Sequence, residues 1–215
     1  MKNKVWIARG LAFSLINSTL TASAGFIFPR TDITDVKNAP NATPWGGWST
    51  AVYCPEGSYV TGYSMRVEPW QRRGDDTALN VVALYCTNPY HLGVERIIPH
   101  PGFWGDWGEE ANCPKGTYAT AFRLKVESRQ RGGDDTAANS LAFRCRKPRT
   151  TMIELIGEGV VIEASGGGGW GSWTSSWVTG PENSAICGVK AKVEDWQRGG
   201  DDTALNDLEF TWCKF

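Results

Sequence analysis

The sequence predicts an all-β protein whose sheets share one interior, and three observations carry that prediction. A Gly-Asp-Asp-Thr-Ala motif is written three times, a long alternation of apolar and polar residues precedes each copy, and nothing after residue 24 keeps a 3.6-residue period for three turns. The copies are Arg73-Gly74-Asp75-Asp76-Thr77-Ala78-Leu79-Asn80, Arg131-Gly132-Gly133-Asp134-Asp135-Thr136-Ala137-Ala138-Asn139 and Arg198-Gly199-Gly200-Asp201-Asp202-Thr203-Ala204-Leu205-Asn206. Their asparagines lie 59 and then 67 residues apart, which marks a triplicated unit.

Residues 1–24 read as a secretory signal. Lys2, Lys4 and Arg9 form a basic start, Leu11 to Leu20 a short apolar run, and Ala22-Ser23-Ala24 a small-residue cleavage site. That run is too short and too rich in Ser, Thr and Asn to span a bilayer. Cleavage after Ala24 leaves residues 25–215, long enough for a single domain with its own core. It removes three of the 22 basic residues and no acidic one, leaving 19 against 23 and a net charge of −4. Mild acidity argues against nucleic acid and anionic membranes as partners, since both need basic patches. Asn41-Ala42-Thr43 is a glycosylation sequon, and a glycan there would put that stretch on the surface.

The repeats span about 45–86, 104–145 and 170–213. A strand over Ile33 to Val36 and a polar, Pro-containing connector (37–44) precede the first. Each repeat opens with Trp-Gly-x-Trp: Trp45 and Trp48, Trp104 and Trp107, Trp170 and Trp173. A short strand follows, then a turn such as Pro55-Glu56-Gly57 or Pro114-Lys115-Gly116. The long strand comes next. Tyr59, Thr61, Tyr63, Met65 and Val67 are expected on one face, as are Tyr118, Thr120, Phe122, Leu124 and Val126, and Ala185, Cys187, Val189, Ala191 and Val193. After the acidic turn a second strand places Asn80, Val82, Leu84 and Cys86 inward, with Asn139, Leu141, Phe143, Cys145 and Asn206, Leu208, Phe210, Trp212 in the other copies. The spacers add strands at Gly93 to Ile98, Met152 to Ile156 and Val160 to Ala164, and the N-terminal segment can supply the matching one for the third unit. Gly166 to Gly169 reads as a flexible stretch. Three sheets of about four strands, each apolar on one side, close into a three-sided prism or into a three-bladed propeller-like arrangement.

All six cysteines lie after the signal, which points to an oxidised, extracellular disulfide set. Cys54 and Cys86 are 32 residues apart and so are Cys113 and Cys145, which argues for two equivalent bridges; Cys187 and Cys213 pair by elimination. The last pair is out of register. Strict alternation puts Cys187 inward and Cys213 outward, so a bulge or the free chain end must reconcile them. With no Cys-x-x-Cys and no histidine cluster, no metal site and no cofactor are expected.

Trp-Gly-x-Trp, Val-Glu, Gly-Asp-Asp-Thr-Ala-Leu/Ala-Asn and a closing Phe/Leu-x-Cys, three times over, resemble the vitelline membrane outer layer protein I family across about Pro44 to Lys214. The resemblance implies a β-prism of three Greek-key antiparallel sheets with pseudo-threefold symmetry. It implies a secreted protein of an extracellular matrix or egg outer coat, with matrix or egg-coat proteins and glycans as partners. Sugar-related binding or transfer has been suggested for the family. The third repeat departs from the family by one bridge, carrying Gly180 and Trp212 where a further pair is expected.

The paired carboxylates are the natural suspects for chemistry. Asp75 and Asp76, Asp134 and Asp135, and Asp201 and Asp202 suit acid–base work or calcium in principle. A structural corner explains them better: Gly allows φ > 0, and Asp, Thr and the closing Asn80, Asn139 or Asn206 can bond nearby backbone. A corner is needed once per sheet, whereas an active site is needed once per protein. Two adjacent carboxylates also supply too few oxygens for calcium. Glycoside hydrolysis or transfer needs two carboxyls in unlike surroundings. Glu68, Glu127 and Glu194 could partner the aspartates seven residues on, but the three copies look alike; Glu109-Glu110 and Glu158 to Glu163 are the asymmetric candidates. His91 and His100 share no nucleophile motif, so no catalytic residue is assigned. The Trp-Gly-x-Trp indoles are expected to plug the ends of the prism, the other reading being exposed indoles that stack on sugars. Trp70 and Trp196, beside Gln71 and Gln197, suit polyol recognition. The expected function is a secreted structural or binding component of a matrix or egg coat that recognises glycans, more a binding protein than an enzyme. A weak glycan-processing enzyme acting on N-acetylglucosamine oligosaccharides is the alternative.

Overall fold

The computed structural model describes residues 30–69, 78–128, 137–147, 159–194 and 204–215. Its strands, in chain order, are β1 (Ile33–Asn38), β2 (Gly47–Trp48), β3 (Val52–Tyr53), β4 (Tyr59–Val67), β5 (Leu79–Thr87), β6 (Val94–Ile97), β7 (Asp106–Trp107), β8 (Ala111–Asn112), β9 (Tyr118–Val126), β10 (Ala138–Arg146), β11 (Val160–Glu163), β12 (Ser172–Trp173), β13 (Val178–Thr179), β14 (Ser184–Val193) and β15 (Leu205–Lys214). No helix occurs among the described residues. The strands form three antiparallel sheets of identical plan: β6-β5-β4-β7 with β8 also on β4, β11-β10-β9-β12 with β13 on β9, and β1-β15-β14-β2 with β3 on β14. We call these the first, second and third sheets. The long strands β4, β9 and β14 each contact the other two, so the fold is a β-prism of three Greek-key sheets about a pseudo-threefold axis.

The sheets do not coincide with the sequence repeats. Each Trp-Gly-x-Trp segment and the short strand after it join the sheet of the preceding repeat: β7 and β8 lie on β4, β12 and β13 on β9, and β2 and β3 close the ring on β14. The glycine of the motif makes this possible. Gly46, Gly105 and Gly171 sit at φ of +80°, +82° and +81°, and a Cβ there would come within 2.3–2.4 Å of the backbone of Val193, Val67 and Val126. Only glycine takes that conformation at that distance.

The alternation along β4, β9 and β14 is broken once, at the same place in each. The pairing skips Thr61, Thr120 and Cys187, a bulge that shifts the phase of everything before it. Val60, Ala119 and Ile186 therefore face the main core, and Tyr59, Tyr118 and Ala185, expected there from the pattern, face a second cluster at one end. The bulge is also what brings Cys187 onto the same side as Cys213. Both sulfurs are fully buried in the end cluster and bonded to each other.

The main core stacks aromatic and aliphatic residues from equivalent positions: Tyr63, Phe122 and Val189; Met65, Leu124 and Ala191; Leu84, Phe143 and Phe210. Ring centroids lie 4.5 Å apart for Phe122–Phe210, 5.3 Å for Phe143–Phe210 and 5.0 Å for Tyr63–Phe143. Each such side chain contributes roughly 1.5–3 kcal/mol by leaving water. The Tyr63 hydroxyl is satisfied across two segments: it donates to the Leu141 carbonyl and accepts from the Ala164 amide at 2.7 Å. At the end cluster, Ala185 occupies the third place opposite Tyr59 and Tyr118, and C-terminal Phe215 fills it, its ring 4.1 Å from Tyr59 and 4.8 Å from Tyr118. Arg30 closes the rim. It pairs with Asp32 and donates to the carbonyls of Pro55 (2.8 Å) and Ser58 (2.7 Å).

The bridges Cys54–Cys86 and Cys113–Cys145 join neighbouring sheets, because the strand exchange puts Cys54 beside β14 and Cys113 beside β4. At the third joint Gly180 and Trp212 stand in their place. The indole lies on Gly180, where a Cβ would be 2.1 Å from its Cδ1, and its Nε1 donates to the Thr120 carbonyl at 2.9 Å.

Candidate functional site

The outer faces carry what the interior does not use. Trp45, Trp48, Trp104 and Trp107 keep 41–42% of their surface exposed and Trp170 keeps 56%, while Trp173 is half-buried. They do not plug the prism ends, because the strand exchange lays them at the sheet edges, outside the core. Cations brace them on the flat face: Arg96 over Trp107 at 4.2 Å, Arg123 over Trp173 at 5.0 Å, and Lys190 and Lys192 near Trp48 at 5.8 and 5.9 Å. Trp177, not singled out in the sequence, adds a further ring on the second sheet, with Arg123 at 4.6 Å and Arg144 at 4.4 Å. The outward positions of a period-two strand were the signal that could have found these arginines.

The closing asparagines lie at the inner ends of the acidic turns. Asn80, Asn139 and Asn206 are buried, and each Nδ2 donates to the carbonyl two residues earlier at 3.2 Å. Those carbonyls belong to Ala78, Ala137 and Ala204, which share a left-handed φ of 47–48°, an uncommon conformation for alanine. Opposite them the amides of Glu68, Glu127 and Glu194 reach the same carbonyls at 2.8–2.9 Å, closing each hairpin neck. Asp75, Asp76, Asp134, Asp135, Asp201 and Asp202 lie outside the described residues, as do Trp70, Gln71, Trp196 and Gln197.

Of the stretch expected to be flexible, Gly167 and Gly168 are packed, while a Cβ on Gly166 or Gly169 would meet open space. Gly168 donates its amide to the Asn139 carbonyl at 2.7 Å, and a Cβ on Gly167 or Gly168 would meet Ser140 or Asn139 at 2.6 or 2.1 Å. Close approach, not mobility, requires glycine there. The sequon is likewise engaged: the Asn41 amide donates to the carbonyls of Leu124 (3.4 Å) and Ser172 (3.2 Å), and the Thr43 hydroxyl donates to Asn206 Oδ1.

A groove of about 430 Å³ opens near the joint of the first and second sheets, lined by Thr61, Tyr85, Val94, Glu110, Lys115 and Tyr118 among others. Glu110 is the one carboxylate among its described lining residues, whereas glycoside chemistry needs a pair. No group of three or more metal-ligating side chains occurs among the described residues, and no helix there is long and apolar enough to cross a membrane.

A disulfide-tied prism that turns its indoles and cations outward fits a structural or binding protein of the extracellular space. The chain belongs to the vitelline membrane outer layer protein I family, whose sequence profile matches residues 35–215. It is similar to the human vitelline membrane outer layer protein 1 homolog, 36% identical over 201 residues, covering 91% of this chain and 93% of the relative. The mouse homolog is 34% identical over 180 residues, 83% of each chain. Among solved structures, Calystegia sepium agglutinin aligns over 85% of this chain and 98% of its own, with 11% identity and a TM-score of 0.49. Three disulfides and family membership fit an extracellular location.

Proposed function

We propose that the protein, released from its signal after Ala24, is a non-catalytic component of an extracellular matrix or egg outer coat that recognises glycans through the indoles on its three faces. One observation carries this: each of three symmetry-related sheet edges exposes at least one indole of its Trp-Gly-x-Trp segment, Trp45 and Trp48, Trp104 and Trp107, and Trp170 beside the half-buried Trp173. An indole left in water by a fold with a well-filled core is available to stack on the apolar face of a sugar ring. Three equivalent platforms on one rigid body suit a branched or repeating ligand, since the second and third contacts form at high effective concentration. Trp70, Gln71, Trp196 and Gln197 belong to the same reading, as flanking polyol contacts, and the aspartate pairs belong to it as structural corners. The hairpin necks support the corner role, with their buried asparagines and left-handed alanines.

A glycan array tests the reading. Binding to N-acetylglucosamine oligomers or coat glycans should fall roughly tenfold or more in Trp104→Ala/Trp107→Ala, the loss of one stacking platform with its avidity. Absence of binding to any glycan class would remove glycan recognition and leave a structural role. Turnover of chito-oligosaccharides, abolished by replacing one carboxylate, would overturn the non-catalytic reading.

A further inference from the structure

The three outer faces share one backbone plan but differ in what covers the sheet beside the bulge of the long strand. There Asn112 of the first sheet corresponds to Thr179 of the second and Tyr53 of the third, and two residues earlier Glu110 corresponds to Trp177 and Ala51. On the following strand Tyr85 corresponds to Arg144 and Thr211, and Thr87 corresponds to Arg146. On the second sheet the Trp177 ring lies against Arg144 at 4.4 Å and Arg123 at 4.6 Å, and the stems of Arg144 and Arg146 pack on Gly159. On the third the Tyr53 ring lies over Gly188, where a Cβ would be 2.5 Å from its Cδ1. Both sheets thus set a flat ring of the chain itself on this place. The first sheet does not. Asn112 covers Gly62, Glu110 stands where the second sheet has an indole, and Thr87 where it has a long arginine. The space left is the groove of about 430 Å³.

The groove is built on rigid parts. Its floor is β4 and β5, where the Tyr85 hydroxyl and Ser64 Oγ share a hydrogen bond of 2.9 Å that tethers the ring to the sheet. Its wall is the turn after β8. Cys113 is bridged to Cys145 and donates its amide to the Thr61 carbonyl at 2.7 Å, and the Thr117 hydroxyl and amide donate to the Pro114 carbonyl at 2.6 and 2.9 Å. Side chains already fixed lose little freedom on binding. The volume falls in the lower part of the range of about 300–1,000 Å³ found for small-molecule sites. Tyr85 and Val94 line it beside the hydrogen-bonding groups of Thr87, Asn112, Glu110 and Lys115. An aromatic ring next to amide, carboxylate and ammonium groups matches a pyranose, which has C–H groups on one face and hydroxyls around its edge. The described lining offers one charge of each sign, which favours a neutral ring over a uronate or a sulfated one.

We propose that the groove on the first sheet is a subsite for one or two neutral pyranose rings, with Tyr85 against the ring and Glu110, Asn112 and Lys115 meeting its hydroxyls. The sugar takes the place that Trp177 and Tyr53 fill on the other two sheets, so the protein holds this unit once. The inference rests on the glycan-binding reading above and adds a single selective pocket to it. That pocket is separate from the tryptophan platforms: Trp107 pairs with Arg66, at the other end of β4 from Thr61.

The test is titration of the whole protein with three neutral disaccharides in turn, diacetylchitobiose, cellobiose and mannobiose, followed by calorimetry and by the amide signals of Gly116 and Thr117 in NMR spectra. At least one should bind one-to-one and shift those signals. Glu110→Trp and Asn112→Tyr copy the second and third sheets, and each should weaken that binding about tenfold or more by filling the space. Trp104→Ala/Trp107→Ala should change it less than about twofold, as a distant and independent site does. If a filling variant melts early, Glu110→Ala serves in its place: it keeps the space, removes one hydrogen-bonding group and should cost about threefold or more. Disaccharide binding that ignores the groove variants overturns the subsite and leaves the tryptophan platforms standing. So does absence of disaccharide binding while an N-acetylglucosamine hexamer still binds. Failure of the disaccharides and the hexamer alike overturns both readings.

Discussion

Two of the three joints between sheets are stapled by disulfides, and the third is closed by an indole on a glycine. All three stand at equivalent positions: Cys54 and Cys86, Cys113 and Cys145, Gly180 and Trp212. A disulfide acts largely by restricting the unfolded chain, about 3–4 kcal/mol for a loop of this length in the chain-entropy account. The indole acts in the folded state, through buried area and one hydrogen bond to Thr120. The same joint can therefore be made from either end of the folding equilibrium, and in the third repeat the cysteines form a different bridge, Cys187 with Cys213, inside one sheet.

Breaking the indole joint should have the largest effect. Trp212→Ala is expected to cost about 3–5 kcal/mol in denaturant unfolding, as for other buried large-to-small changes. Cys113→Ala/Cys145→Ala should cost about 3–4 kcal/mol, and reducing agent should narrow the gap between that variant and the wild type but leave the Trp212 loss untouched. A Trp212→Ala loss below about 1 kcal/mol would mean that this joint is held elsewhere. Gly180→Ala sharpens the comparison. Its Cβ would overlap the indole, so about 1–3 kcal/mol is expected in the wild type and little in a Trp212→Ala background. Additive losses would show that the two residues do not form one joint.

The general plan was readable because it is periodic: three motifs, three alternating strands and two identical cysteine spacings leave few architectures. What was hidden depended on single residues that break a period. The bulges at Thr61, Thr120 and Cys187 leave no mark in an apolar–polar pattern, so Tyr59 and Tyr118 were placed in the wrong cluster. The strand exchange was hidden for another reason. A two-residue strand such as β7 carries too little pattern to say which neighbour it joins, although Gly105 records the close approach once the contact is known. That exchange is why five of the six Trp-Gly-x-Trp indoles are exposed and Trp173 is only half-buried. The Arg123–Trp177–Arg144 stack needed both facts, since Trp177 comes from the third repeat and the arginines from the second.

The smallest expected effect lies beside the same third repeat. Asp207 takes the place of Val81 and Ser140 and is buried under β1, accepting from Asn38 Nδ2 at 2.8 Å and from the amides of Ala39 (3.2 Å) and Leu208 (2.7 Å). Burial pushes its pKa up, and those three bonds and the charge of Lys192 only partly oppose the shift. A folded-state pKa above the unfolded one means that the folded chain holds this proton more tightly. The corresponding stability is therefore complete below the ordinary carboxylate value of about 3.9 and is lost as pH rises through the raised value. Asp32 runs the other way: the hydrogen bond from Arg30 lowers its pKa, so its share is present above the ordinary carboxylate range and is lost on acidification. Asp207→Asn should remove the first trend and keep the second. Unfolding midpoints measured from pH 4 to pH 7 should fall less steeply, or rise, in the variant compared with the wild type; parallel curves would show that the anchor of β1 does not titrate.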